Sequence, residues 1–338
     1  MNVLLLQLKR IGDLILTVPA IAALRKDFPA ARISLVVAHG SRELLPAIPG
    51  LDYTFIARGR VTDVPQWFAV AKAKFDYCLD FSRTDRSAFL TLLSGARKRI
   101  TYDTIRREPF RQLSYNEFVP SRVRFVHTVN HHLSLLAPLG VQDLSQEVHL
   151  VLPDEAKAKA ARVIAEKKLG DNFVVIHPGS ARAEKFWVAR RWAEVADGIR
   201  HDERTRVVIT GAKARMEQDH IARIKAKLQH PVVDLSGQLD LLTLAALIQR
   251  ARLLATIDSA PMHLAGALGT PQVVLFGPTN PFHWHPRFAP AVILQAGKAG
   301  PVTEFVPKQP PRPMKEISTN EVFDAMQSLL SAPAAPVT

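Results

Sequence analysis

The feature that most constrains this chain is a rhythm. Short, almost wholly apolar runs rich in β-branched residues recur along its length, each separated from the next by a segment long enough for a helix. In the first half the runs occupy residues 3–6, 33–37, 53–56 and 77–81; in the second they occupy 173–176, 206–210, 232–235, 253–257 and 272–276. Runs without apolar/polar alternation have no side to present to water, which implies parallel strands covered by helices on both faces. Two doubly wound α/β domains follow. Length agrees, since 338 residues exceed twice the ~150-residue domain prior.

Boundaries come from local signals. Leu152-Pro153-Asp154-Glu155 opens an Ala/Lys-rich helical stretch reaching about Lys168, with two acids at the positive end of the helix dipole. The expected division is therefore 1–152, 153–315, and a C-terminal helix and tail at 316–338 able to pack back on the first domain. Residues 301–313 are Pro-rich without apolar periodicity and read as a connector. A closing helix over 318–330 is predicted by the capping-box spacing of Ser318 and Glu321.

Composition narrows the class. With 47% hydrophobic and 22% charged residues the chain can build ordinary cores. Its opening apolar run is short and precedes Lys9 and Arg10, the reverse of a signal peptide, and reads as a buried strand. No run approaches the ~20 apolar residues needed to span a bilayer, so any membrane contact is expected to be peripheral. The single cysteine, Cys78, excludes an intramolecular disulfide and a cysteine-based zinc site and suits a reducing cytosol. A net charge of +13 favours anionic partners, whether phosphates, nucleic acid or anionic membrane.

In doubly wound sheets, ligands bind beyond the carboxyl ends of strands, and two such sheets facing each other leave a cleft. The first strand runs into Leu8-Lys9-Arg10-Ile11-Gly12-Asp13, where Gly12 permits a tight turn and Asp13 either caps the next helix or acts as a general base. In the second half a strand leads into His177-Pro178-Gly179-Ser180, then Lys185-Phe186-Trp187. Exposed amides and a lysine there suit a phosphate, although Lys185 equally suits a solvated basic stretch with Arg182, Arg190 and Arg191. His177 reads as a hydrogen-bonded strand-end residue. The run from Ile257-Asp258-Ser259-Ala260-Pro261-Met262-His263 to Gly269 and Pro271 reads strand, capped helix, stop; its free N–H groups suit a diphosphate, and a purely structural cap explains the same residues. Thr210-Gly211-Ala212-Lys213 with Glu217 and Phe276-Gly277-Pro278-Thr279 follow other strands. Neither is a Walker loop, and the glycines lack the dinucleotide spacing, which counts against an NAD enzyme.

His127, His131 and His132, and His283 with His285, read as structural or surface residues. Between Arg83 and Arg124, ten Lys/Arg stand against four acids. Such a run is usually a solvated face, and would also suit a phosphorylated acceptor or lipid head groups. Aromatics are not interleaved with it as nucleic-acid stacking requires.

Taken together, Arg10-Ile11-Gly12-Asp13 with Pro19, His177-Pro178-Gly179-Ser180 with Lys185 and Trp187, Gly211 with Glu217, Asp258 through Ala265, and Phe276-Gly277-Pro278-Thr279 resemble the bacterial heptosyltransferases of glycosyltransferase family 9. The resemblance runs nearly full length and implies a GT-B fold, two Rossmann-like domains facing across a cleft. It further implies inverting, metal-independent transfer of heptose from ADP-heptose, with no cofactor, to the phosphorylated inner core of lipopolysaccharide. A monomeric cytoplasmic enzyme touching the inner membrane, without a nucleic-acid partner, is expected. By this resemblance Asp13 is the base and Lys185 meets the donor phosphates. Glu217 holds the ribose, and Gly12, Ser180, Asp258, Ser259, Ala260, Met262 and His263 line the substrate sites. Members often carry C-terminal cysteines, and residues 296–314 here have none. A nucleotide-sugar epimerase and a non-enzymatic anion-binding protein are the alternatives.

Overall fold

The computed structural model describes residues 1–142, 144, 145, 147–200 and 205–331. Contacts divide the chain into two units, Met1–Val151 and Leu152–Thr338. In the first, strands β1 (Asn2–Gln7), β2 (Arg32–Ala38), β3 (Tyr53–Ala57), β4 (Tyr77–Asp80), β5 (Lys98–Tyr102) and β6 (Glu117–Val119) form one sheet in the order β3-β2-β1-β4-β5-β6. The second holds β7 (Phe173–His177), β8 (Arg206–Ile209), β9 (Val233–Asp234), β10 (Leu253–Ile257), β11 (Gln272–Phe276) and β12 (Ala291–Gln295) in the order β12-β11-β10-β7-β8-β9. Every pairing is parallel. Read from its other edge, the second order repeats the first. Both are the doubly wound arrangement of dinucleotide-binding folds.

Burial explains why the apolar runs became central strands. Val3 to Leu6 in β1 and Phe173 to Ile176 in β7 are wholly or almost wholly covered. Leu4 and Leu6 pack with Val36, Val70, Phe75 and Cys78 on one face of the first sheet. Sequence reading missed β5, β6 and β12. The first begins with the exposed Lys98 and half-buried Arg99, and the other two are sheet edges with half-buried starts, so none presents a continuous apolar run.

Helix Asp154–Glu166 follows Pro153, its N-cap, with Asp154 and Glu155 in the first turn. The C-terminal helix, Thr319–Ser331, corrects an expectation. Instead of returning to the first domain, its Val322, Ala325 and Met326 enter the second unit's core beside Trp187 and Trp192. Trp187 Nε1–H donates to the Ile317 carbonyl at 3.0 Å, which fixes the approach. Its capping box forms as read: Glu321 N–H donates to Ser318 Oγ at 3.3 Å and Ser318 N–H to Glu321 Oε2 at 2.8 Å. The last residues of the tail, 332–338, lie outside the described residues. Residues 301–313 form no helix or strand, apart from a bridge at Pro301, and cross beyond β11, where Arg312 N–H donates to the Gly277 carbonyl at 3.1 Å. Among the described residues no helix is long and apolar enough to cross a membrane.

Candidate functional site

Each sheet reverses its strand order once, at β1/β4 and at β7/β10, and in doubly wound sheets ligands bind beyond the carboxyl ends at such a reversal. The residues singled out from sequence gather at these two places.

At the first reversal, β1 leads into the short helix Ile11–Ile15. Arg10 is its N-cap without a side-chain cap bond, and Asp13 lies in the first turn, so Asp13 is not the N-cap. Gly12 lies inside the helix with no left-handed φ, which corrects the expected tight turn. Burial raises the Asp13 carboxyl above its ordinary pKa; the nearby Lys9 ammonium and the amides of Arg10 and Asp13 oppose the shift. Lys9 is itself lowered by burial, in the field of Asp13, Arg83 and Asp80. Thr17 Oγ1 donates to the Asp13 carbonyl at 2.8 Å and lies 3.1 Å from His132 Nδ1. Burial pushes His132 down to about 3, so this ring is a neutral brace.

Across the reversal, Asp80 ends β4 fully buried. Its Oδ1 accepts from Ser82 N–H at 2.7 Å and Arg83 N–H at 3.1 Å, and its Oδ2 from the Tyr115 hydroxyl at 2.6 Å. These bonds hold Arg83 in a left-handed conformation, φ 58°. Its guanidinium then lies 5.3 Å from the Tyr102 ring centroid and donates to Thr104 Oγ1 at 2.6 Å. Lys9 and Asp80 were not singled out from sequence; the only signal was an aspartate closing an apolar strand run.

At the second reversal the structure joins motifs far apart in sequence. Lys185, buried in the 3₁₀ turn Ala183–Lys185, places Nζ 2.6 Å from Asp258 Oδ2 and 3.1 Å from the Asp258 carbonyl, just past β10. The Thr279 hydroxyl, past β11, donates to the same Oδ2 at 2.6 Å. Lys185 is thus no part of a solvated stretch: it and Asp258 are both about nine-tenths covered. An ammonium has three N–H donors, and Asp258 takes two. The Asp258 carboxylate is engaged in holding the lysine. Thr279 belongs to a quoted motif, yet only the structure shows its partner.

The helix Ala260–Leu268 starts at Ser259, whose hydroxyl makes no cap bond. Pro261 has no N–H and Met262 N–H donates to the Ser259 carbonyl at 3.2 Å, so this start offers fewer free amides than the motif suggested. Ser259 and Ala260 are half-buried, whereas the Met262 side chain packs in the core with Val274, Phe276 and Ile293 and cannot line a ligand site. His263 is buried; desolvation lowers it to about 4 against the Asp258 carboxylate, with Lys185 lowering it further, so it stays neutral.

Glu217, in the first turn of helix Arg215–Lys225, accepts from Ala212 N–H at 2.9 Å, and burial raises its carboxyl. Two motif glycines make room for it. A Cβ on Gly179 would lie 2.2 Å from Glu217 Oε2, and one on Gly211 would lie 2.4 Å from Ile221 Cδ1 and 3.6 Å from Glu217 Oε2. Ser180 is buried beside them, its Oγ accepting from Arg182 N–H at 3.3 Å. His177 Nδ1 lies 3.0 Å from Thr210 Oγ1, the strand-end role read from sequence.

Three further histidines have structural partners. His127 caps helix Thr128–Ser134, His131 stacks on Tyr102, and His285 stacks on Phe305 with centroids 4.0 Å apart. Among the described residues no three His, Cys, Asp or Glu gather to hold a metal.

Two parallel α/β units of this topology, with polar clusters at both reversals, have the GT-B fold of glycosyltransferases. A family model described as glycosyltransferase family 9 (heptosyltransferase) matches residues 67–311, and the chain belongs to that family. It is a glycosyltransferase, which disposes of both alternatives. Lipopolysaccharide heptosyltransferase 3 of Escherichia coli is 28% identical over 285 residues, covering 81% of this chain and 83% of the relative. A family 9 glycosyl transferase structure from Veillonella parvula superposes with a TM-score of 0.83 at 26% identity, covering 97% of each chain. Heptosyltransferase II of E. coli shares the fold, with a TM-score of 0.78 at 20% identity and 98% of each chain covered.

Proposed function

We propose that this enzyme transfers heptose from ADP-heptose to the phosphorylated inner core of lipopolysaccharide, with inversion and without a metal, at the cytoplasmic face of the inner membrane. The observation that carries the reading is the Lys185–Asp258–Thr279 cluster at the strand ends of the second unit, with His263 in the field of its charges and Glu217 against Gly179 just past β7. A buried cation with one N–H to spare fits a diphosphate oxygen and serves where a divalent ion otherwise would. Names of the relatives supply the sugar and the acceptor.

In this reading Asp13 takes the proton of an acceptor hydroxyl. The acceptor's hydroxyl oxygen attacks the anomeric carbon from the face opposite the phosphate, and the bond from that carbon to the phosphate oxygen breaks to release ADP. Burial suits Asp13 to the task, since it raises proton affinity while Lys9 keeps the carboxylate form accessible. Lys185 and the Ala260 amide stabilise charge growing on the diphosphate. Glu217 accepts from the ribose hydroxyls, and Ser180, Ser259 and His263 border the donor. Gly12 lets the acceptor approach the helix backbone.

A donor screen tests this. The full chain is incubated with ADP-heptose and with UDP- and GDP-sugars, and a ligand at 100 times its dissociation constant adds about 2.7 kcal/mol of stability. Selective stabilisation by the ADP sugar is expected, with transfer only when acceptor is added, unchanged by chelator, giving the opposite anomer. Stabilisation by another nucleotide, retention of configuration or chelator-sensitive turnover would replace the corresponding part of the proposal.

A further inference from the structure

We propose that the first unit carries a bilayer-docking face, built on residues 86–125, that seats on an anionic lipid surface. The inference deepens the reading above, in which the acceptor is a membrane glycolipid, by assigning the surface that meets the membrane. Five large apolar side chains here face solvent: Phe110 at 88% exposure, Leu113 at 72%, Phe125 at 70%, and Leu92 and Phe89 at 57% and 56%. Scattered exposed apolar residues are ordinary. These are not scattered. Leu113 lies in the 3₁₀ turn Arg111–Ser114, which packs against helix Asp85–Leu93, whose outer side carries Phe89 and Leu92. A second turn, Asp103–Arg107, packs against the first, and Asp103 Oδ1 accepts from Ser121 N–H at 3.0 Å, tying in the 121–125 turn that carries Phe125.

Interleaved with these side chains, three of them phenylalanines that correct the expectation of a basic run without interleaved aromatics, are the exposed Arg106, Arg107, Arg122 and Arg124. Neighbouring acids are paired: Asp85 and Glu108, both exposed, lie 2.5 and 3.8 Å from Arg111, and Asp103 accepts from the Ser121 amide. What reaches outward is therefore apolar with an excess of cationic over anionic groups, since the exposed Asp85 and Glu108 are offset by Arg111 while Arg106, Arg107, Arg122 and Arg124 add four positive charges. That pairing matches a membrane interface, where rings and aliphatic chains enter the boundary of head groups and acyl chains while guanidinium groups meet lipid phosphates. The excess of ten basic over four acidic residues across 83–124 supplies the charge complementarity to anionic lipid.

Flotation of the full chain with vesicles tests the assignment, using phosphatidylcholine alone or with about one-third phosphatidylglycerol. Wild type is expected to float with the anionic vesicles and to be released by salt. The triple variant Phe110→Ser, Leu113→Ser, Phe125→Ser should bind about tenfold more weakly or worse. Arg107→Gln, Arg122→Gln and Arg124→Gln should each cost about fivefold where the arginine reaches the head groups. With a water-soluble, deacylated acceptor the triple serine variant should turn over like wild type, losing rate only on vesicle-embedded acceptor. No flotation of wild type, or flotation unchanged by the serine substitutions, overturns the docking face, as does self-association abolished by them without vesicle binding. Absence of any wild-type transfer to the soluble acceptor would instead overturn the proposed reaction, while flotation still decides the docking face.

Discussion

The two order reversals are built on one topology and hold opposite chemistry. At β1/β4 the groups sunk among strand ends are two carboxyls, Asp13 and Asp80, whose proton affinity burial raises. At β7/β10 a buried carboxylate, Asp258, is instead spent on a buried cation, Lys185, and on the Thr279 hydroxyl. The same topology thus gathers raised carboxyls in one unit and a clamped cation in the other; in the proposed reaction the first supplies the proton acceptor and the second the anion site. The difference lies in which side chain the segment after the first strand contributes: Asp13, two residues past the helix start at Ile11, against Lys185, at the end of a 3₁₀ turn that brings it to Asp258 just past β10. Strand order specifies where chemistry can occur, and loop length and residue type specify which chemistry.

The largest expected effect is on the clamp. Asp258→Ala leaves a buried ammonium without its partner and should destabilise the protein by about 3–5 kcal/mol in denaturant titration; a change under about 1 kcal/mol would show that the lysine finds water and that the pair is not truly buried. Next comes the base. Asp13→Asn should lower turnover by about 10²-fold or more while leaving ADP-sugar affinity intact. Since burial favours the neutral acid, the acid limb of wild-type kcat/KM should lie above the 3.8 of an unperturbed aspartate, with rate lost as pH falls through it. Unchanged turnover in the asparagine variant would move the base elsewhere.

Lys185→Ala should weaken ADP binding by about 1.5–3 kcal/mol in calorimetry, the range for a hydrogen bond to a charged group. Equal affinity would make the second reversal a structural ion pair and erase the contrast with the first. The smallest effect expected is Gly179→Ala. Its methyl would displace Glu217 from the Ala212 amide and should cost about 0.5–1.5 kcal/mol of ADP affinity. An unaffected affinity would mean Glu217 does not touch the nucleotide.

Much of this was legible in the chain as written. Nine apolar runs marked nine of the twelve strands found among the described residues, and the central ones were legible because a strand buried on both faces must be apolar throughout. The missed strands are β5, which opens on Lys98 and Arg99, and the two edges β6 and β12; cooperation with a neighbouring strand holds them rather than their own pattern. Capping residues Ser318 and Glu321 were readable since a capping box is a local bond. Where the C-terminal helix packs was not, because an apolar helix face carries no address for the core that receives it.

Residue types along the chain determined on their own that there would be two doubly wound units, that polar residues would stand at strand ends, and that a family 9 pattern was present, since periodicity and motif spacing are properties of consecutive residues. Tertiary structure alone decided that Asp258 grips Lys185 and Thr279, that Met262 turns into the core, and that Asp80 organises Arg83. In the first the partners lie 73 and 21 residues apart, in the second the burying strands follow in sequence, and in the third a buried carboxylate and a left-handed turn are invisible until the strand end is closed. Such pairings exist only once parallel strands bring distant loops to one edge, where desolvation sets both the proton affinities and the cost of leaving a charge unpaired.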